Sequence, residues 1–395
     1  MYYKCVYIYF IVKGRFPTEK AYGVTITETI NSLSKFGHQI SVLSVKSSYM
    51  SNLDFNTYCN QINFTEKFFQ KLIRFLSYTG KSRIHTIVWK LYWKIILKKN
   101  AQLIIDSSAD LYWIRDLDLI KYIPDNSNIV LELHSMINES KIHKITRKEK
   151  NKKIILAPIS KKIFSSISKY KDNTSIIFSP MGINTDFSET FLNLNIFIQR
   201  IYELRKYSFV GLRVGYVGKF FPGGHSKGIE DLFALAKLNA INKFGYKISI
   251  TGGSINDLKK SNKLIKKFKL NKTSISIKGH VQHNVALSLM KNLDVIVLPE
   301  PRSSKYVGFP LKCIEAVSSG RIVVAADCEL YRDIFTERFQ PYWYDSEVAD
   351  SLNCGIVTAL KDPQLINKIG EGINFANKFS WDSRTSNLLN KVKKP

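Results

Sequence analysis

Four side chains in this chain stand where they could handle a charged, hydroxyl-rich ligand. Lys219 and Lys227 lie in the loop GKFFPGGHSKG, whose glycines Gly218, Gly223, Gly224 and Gly228 allow close backbone approach while the lysines bring positive charge. That is phosphate-handling chemistry, although the loop is neither a GxGxxG nor a Walker A string, so the standard dinucleotide and ATP motifs are absent. Glu315 lies in a helix expected to open at Leu311, three residues after Lys312, so the two share one helical face. The start of that helix offers unpaired N–H groups and a positive dipole end to an anion. His134 closes an apolar strand in the string ELHS, a place that serves ligand contact or plain scaffolding. His280 and His283 are three apart, but no Cys or acid completes a metal set around them. An Asp-x-Asp triad occurs at Asp116-Leu117-Asp118.

Positioning these groups falls to an alternation of strands and helices. The stretch Asp294 to Asp327 organises the chain. Val295 to Leu298 has the length and branching of a buried strand, and Pro299 stops it. A loop ending in Gly308-Phe309-Pro310 leads into the Leu311 helix. The helix stops at Ser318-Ser319-Gly320, where glycine suits a left-handed cap, and a second strand runs from Arg321 to Ala326. This βαβ unit places ligand-binding loops at the carboxyl ends of its strands. Earlier strands are expected at Tyr7 to Val12, Gln39 to Val45, Leu111 to Ile114, Ile129 to Leu133 and Lys152 to Ala157. Lys13-Gly14-Arg15-Phe16-Pro17 should break the first, and Gly23 should lie just before a helix from about Val24 to Lys35. Residues 191–211, with broken periodicity, read as an interdomain connection. Strands at Leu212 to Val217, Ile248 to Thr251 and Ser274 to Ile277 follow, and the tail from about Pro363 is helical.

With 395 residues the chain can form two domains with full cores. Its five cysteines are scattered and lack CxxC spacing, which argues against a disulfide framework or zinc site and for a reducing compartment. The apolar opening carries Lys4 and lacks a small-residue cleavage site, so it reads as a first strand. The net charge of +27 divides into +13 over residues 1–190 and +14 over 191–395. Such an even spread fits a general compositional bias, and no aromatic RNP box or Cys/His finger is present, so no nucleic acid partner is expected. One local exception is residues 64–100, where nine Lys/Arg meet a single acid, Glu66, beside Trp89, Tyr92 and Trp93. A basic, aromatic-rich amphipathic segment suits an anionic membrane surface; two ordinary helices with a solvated lysine face give the same pattern.

The wording of the Gly308-Phe309 to Glu315-Ala316 segment resembles the nucleotide-binding half of glycosyltransferase family 4, a retaining family with the GT-B fold. The family's Glu, seven residues, Glu motif is matched at Glu315, while its first acid is replaced by Val307. FPTEKAYG before the first helix, ELHS at Glu132 to Ser135, and SPMGIN at Ser179 to Asn184 are similar to further family segments. The resemblance implies two Rossmann-like domains facing across a cleft: residues 1–195 on the acceptor side, 205–375 binding the nucleotide sugar, and 376–395 as a terminal helix crossing back. It implies that Gly23 faces the donor, His134 touches the transferred sugar, and Lys219 and Lys227 grip the diphosphate beside Gly218. Glu315 would hold the ribose, and Val281, Gly308, Phe309, Pro310 and Leu311 would line the donor. The implied activity is a hexosyltransferase type of glycosyl transfer from a nucleotide sugar to a glycan or lipid-linked acceptor, in surface polysaccharide or glycolipid synthesis. No cofactor or metal is implied. The protein would be cytoplasmic, with a peripheral contact to the inner membrane face. A nucleotide-sugar epimerase on the same fold, and a basic lipid- or RNA-binding protein without catalysis, remain as other readings.

Overall fold

Apolar runs such as Val295–Leu298 keep no polar face for water, the pattern of strands in a parallel sheet covered on both sides. The computed structural model has two such sheets. It describes residues 5–16, 21–45, 61–62, 95, 101–148, 151–173, 175–184, 187–222, 225–271, 273–304, 306–335, 339–348 and 350–392. The basic segment 64–100, apart from residue 95, and the loop glycines Gly223 and Gly224 lie outside them. The chain divides into two units: Met1–Gly182 with Val307–Phe309 and Trp381–Pro395, and Ile183–Tyr306 with Pro310–Ser380.

The first unit holds β1 (Tyr7–Arg15), β2 (Gln39–Val45), β3 (Gln61–Ile62), β4 (Leu111–Ile114), β5 (Asn128–Leu133), β6 (Lys153–Pro158) and β7 (Ser175–Ile176). They form one parallel sheet in the order β3-β2-β1-β4-β5-β6-β7. β1 does not break at Lys13-Gly14; a register shift between Ile11 and Arg15 lets it continue. The helix Ala21–Lys35 packs Ile26, Ile30 and Leu33 into the core of this sheet. It starts earlier than the sequence leads one to expect, so Gly23 sits buried in its first turn. A helical glycine costs only about 0.5–1 kcal/mol, which that apolar face outweighs. The terminal helix Trp381–Val392 adds Leu388 and Leu389 to the same core. Burying each is worth about 1.5–3 kcal/mol. Ser32 and Lys35 fasten the helix through Asp382, at 2.8 and 2.6 Å.

The second unit holds β8 (Arg213–Val217), β9 (Lys247–Gly253), β10 (Ser276–Gly279), β11 (Val295–Leu298), β12 (Ile322–Ala326) and β13 (Tyr342–Tyr344). Their order is β10-β9-β8-β11-β12-β13, again parallel. Residues 191–211 are not a loose connection. They belong largely to a helix, Phe187–Lys206, whose Phe197, Ile201 and Leu204 recur at helical spacing and are buried. In each sheet the strand order reverses once, between β1 and β4 and between β8 and β11. Outside the carboxyl ends of the strands at such a reversal, open α/β sheets bind their ligands.

Candidate functional site

At the reversal of the second sheet, the loop after β8 begins with Gly218 and Lys219. A Cβ on Gly252 would come within 2.5 Å of the Gly218 carbonyl oxygen, and Gly252 has φ +119°, so the loop after β8 meets the end of β9 where only glycine fits. The Tyr216 hydroxyl donates to the Lys219 carbonyl at 2.9 Å and itself accepts from Lys312 Nζ. Burial raises that hydroxyl's pKa, against the lowering influence of Lys227, and lowers that of the Lys312 amine. Lys312 stands in the first turn of the helix Leu311–Ser318. The helix start, its lysine and the Gly218-Lys219 loop therefore gather at one place. The Lys219 side chain is exposed and makes no ion pair among the described residues.

Lys227 is placed differently. It is buried, and its Nζ donates to both oxygens of Glu300, at 2.9 and 2.7 Å, while lying 4.4 Å from the centre of the Tyr306 ring. Glu300, 2% exposed, also accepts from Ser304 Oγ at 2.5 Å. The expected loose cation is thus a neutralised pair. Gly228, with φ +74°, permits it: a Cβ there would lie 3.0 Å from the Glu300 nitrogen. Glu315 is nearly buried and bonded to His283 Nε2 at 2.7 Å. Val281 is half-buried after β10, two residues before His283. Pro310 and Leu311 belong to this second unit, whereas Gly308 and Phe309 are grouped with the first.

In the first unit, β4 and β5 are registered with Trp113 opposite Val130, which sets Arg115 beside Glu132. Glu132, wholly buried, receives Trp113 Nε1 at 3.0 Å, Arg384 Nη2 at 2.6 Å, Arg115 Nε at 2.8 Å and His134 Nε2 at 3.0 Å. Burial alone would raise its pKa, yet the Arg115 and Arg384 guanidiniums hold it well below the usual carboxylate range. Arg115 Nη1 reaches the Tyr22 carbonyl at 3.3 Å and Thr25 Oγ1 at 3.0 Å. One guanidinium thereby links the turn carrying Gly23 to His134. Burial lowers the pKa of the His134 ring. Asp116 and Asp118 are engaged by Lys13 Nζ, at 4.0 and 3.6 Å. Among the described residues no three His, Cys, Asp or Glu side chains are grouped to hold a metal ion.

Comparison with known proteins decides the class of the second unit. Residues 213–374 match the family of glycosyl transferases group 1. The chain thus carries a glycosyltransferase domain and is an enzyme of that class. A search of curated proteins gives no match. Among solved structures, a glycosyltransferase from Rickettsia africae is similar at TM-score 0.65 and 16% identity, over 99% of this chain and 98% of that one. Sucrose-phosphate synthase of Thermosynechococcus elongatus is similar at TM-score 0.62 and 16% identity, over 98% of each chain. Anabaena HepE, solved with UDP and glucose, gives TM-score 0.58 and 13% identity over 99% of this chain and 100% of that one. At such identities the likeness is one of fold, and the α/β GT-B architecture expected from the sequence is the one found. The group 1 domain contains Gly218, Lys219, Lys227, Val281, Pro310, Leu311, Lys312 and Glu315. Arg115 and Arg384 carry no sequence signal of a site role; Lys312 shows only a helix face shared with Glu315, His283 only its spacing from His280, and Glu300 is, with Ser303 and Ser304, a sequence candidate to replace the acid missing at Val307. A signal for Glu132 is present in the sequence, since it is a lone acid inside the apolar strand Ile129 to Leu133, two residues before His134.

Proposed function

We propose that the protein transfers a hexosyl group, with retention, from a nucleotide sugar to a hydroxyl of a glycan or lipid-linked acceptor. The observation carrying this reading is the convergence, within the group 1 domain, of the Gly218-Lys219 loop, Lys312 and the Leu311 helix start at the reversal of the second sheet. Neighbouring folds were solved with UDP and UDP-glucose, so a uridine diphosphate sugar is the first donor class to test. In the reaction the bond from the anomeric carbon to the diphosphate breaks as the acceptor oxygen bonds to the same face. The acceptor's proton leaves with the departing diphosphate. Lys219, Lys312 and the helix N–H groups stabilise the charge that develops on the leaving oxygens. Glu315, oriented by His283, accepts from the ribose hydroxyls, and His134 meets the sugar with Gly23 nearby.

On this reading residues 1–195 serve the acceptor, 205–375 the donor, and no metal is required. Surface polysaccharide or glycolipid synthesis, with residues 64–100 resting on an anionic inner membrane face, is the proposed setting. Among the described residues no helix is long and apolar enough to cross a membrane. The test is a thermal-shift screen against UDP-, GDP- and ADP-sugars, because a specific ligand raises the unfolding temperature by mass action. Turnover is then measured with the donor so found. A chain that none of these sugars stabilises contradicts the proposal.

A further inference from the structure

The buried carboxylate of Glu132 has four neighbours, and they determine the state of a fifth atom. Trp113 Nε1, Arg115 Nε and Arg384 Nη2 can only donate, and they approach at 3.0, 2.8 and 2.6 Å. Two guanidiniums beside a wholly buried carboxylate keep it ionised, so Glu132 has no proton to give. The remaining contact, His134 Nε2 at 3.0 Å, must therefore place its hydrogen on the ring nitrogen. The charged groups around the ring are Glu132, Arg115 and Arg384, with Asp116, Lys13 and Asp118 beyond them. Burial and the two guanidiniums disfavour a second ring proton. A neutral ring protonated at Nε2 carries a lone pair on Nδ1, for which no hydrogen bond is found among the described residues. The side chain is 32% exposed, so a ligand has access to it.

We propose that Glu132, clamped by Arg115 and Arg384, is a positioning residue that fixes His134 as its Nε2–H tautomer, leaving Nδ1 to accept a hydrogen bond from a ligand hydroxyl. The inference rests on the reading of His134 as a contact to the glycosyl donor, and it narrows that reading. A ring of this tautomer rewards a hydroxyl at the sugar position it meets. It turns away a carboxylate or carbonyl oxygen there, because two acceptors would face each other. The clamp also gives the terminal helix a part in the site, since Arg384 lies 252 residues from Glu132 in sequence and reaches it from Trp381–Val392. Val130 and Glu132 share one face of β5, and His134 follows the end of that strand by one residue, two from Glu132, where its ring meets the carboxylate at 3.0 Å.

The experiment is a long-range ¹H–¹⁵N correlation spectrum of the full chain, labelled at its seven histidines, without donor. His134→Gln identifies the His134 signals by their loss. The expected wild-type pattern at pH 7 is a neutral ring protonated at Nε2. In Glu132→Gln that pattern gives way to mixed tautomers, because an amide can donate or accept. Should the glutamine variant fail to fold, Glu132→Asp keeps the charge between the guanidiniums while withdrawing the carboxylate from the ring, and the same loss is expected. A wild-type ring protonated at Nδ1 or at both nitrogens overturns the proposal, as does an unchanged pattern in the folded variant. Turnover in the variant should fall about 10- to 100-fold, the value of one to two hydrogen bonds, with nucleotide affinity held. Unchanged turnover in His134→Ala would instead overturn the donor-contact reading, whatever the spectra show.

Discussion

Replacing Lys227 by Met tests whether its pairing with Glu300 is structural, functional or both. The pair is dry on both sides: the side chains of Lys227 and Glu300 are 10% and 2% exposed, and two hydrogen bonds of 2.9 and 2.7 Å join them. Lys227→Met leaves the Glu300 carboxylate with Ser304 at 2.5 Å and Tyr331 at 3.5 Å, both neutral. Breaking one side of such a pair costs about 3–5 kcal/mol, mostly as the penalty of the stranded charge. For a domain of the size of residues 213–374, about 2–4 °C accompanies each kcal/mol. The unfolding temperature of the second unit should therefore drop by about 6–20 °C. Glu300→Gln alone should cost a similar amount. The double variant Lys227→Met/Glu300→Gln removes both charges and should recover most of the loss, which calorimetry measures as a double-mutant cycle. If the single variants lose less than about 1 kcal/mol, the pair is hydrated and the burial argument fails. A stable double variant that has lost nucleotide affinity would show that Lys227 also meets the diphosphate. One that binds normally would leave Lys219 and Lys312 as the phosphate cations.

Three further outcomes are expected. Glu315→Ala should weaken nucleotide binding by about 1.5–3 kcal/mol, the worth of hydrogen bonds to a charged acceptor, with little change in unfolding temperature; titration calorimetry decides. Lys219→Ala should cut turnover severely while an EDTA-treated wild type keeps its activity; restoration by Mn²⁺ after an EDTA loss would direct attention to Asp116 and Asp118. Burial raises the pKa of Asp231 to about 6, against the Tyr344 hydroxyl bonded to it at 2.7 Å. Its protonated form is favoured by folding, so the stabilisation is complete below the ordinary value of 3.8 and is lost as pH rises through 6. Asp231→Asn should accordingly stabilise the fold at pH 7 and not at pH 3.5, and equal shifts at the two pH values would contradict the assignment.

The sheet strands were legible because fully buried parallel strands leave an apolar signature. Val295–Leu298 and Ile322–Ala326 stand within a residue of where their composition puts them. The aromatic edge strand Tyr342–Tyr344 was not, since three residues are too few to show a period. Residues 191–211 read as a connection in the sequence because the buried stripe of the helix Phe187–Lys206 is narrow: Phe197, Ile201 and Leu204 stand among Asn, Gln, Arg and Glu. Tertiary packing decides such a helix, through contacts that local sequence does not display.

The site shows the same division at the level of single charges. Gly218, Lys219 and Glu315 were legible because a phosphate loop and a helix face are local objects. What neutralises or orients them is not local. Lys227 is 73 residues from Glu300, and Glu132 is 19 from Trp113 and 252 from Arg384. A lysine in a glycine loop reads as a free cation until the fold supplies its carboxylate. Only then is it clear that Lys219 and Lys227, eight residues apart in one loop, have different chemistry. Glu132 makes the converse point. A carboxylate inside an apolar strand is too costly to bury alone, so its presence implied cations arriving from elsewhere in the fold. Two of its four donors, Arg115 and Arg384, are those cations, and they come from the residue after β4 and from the terminal helix.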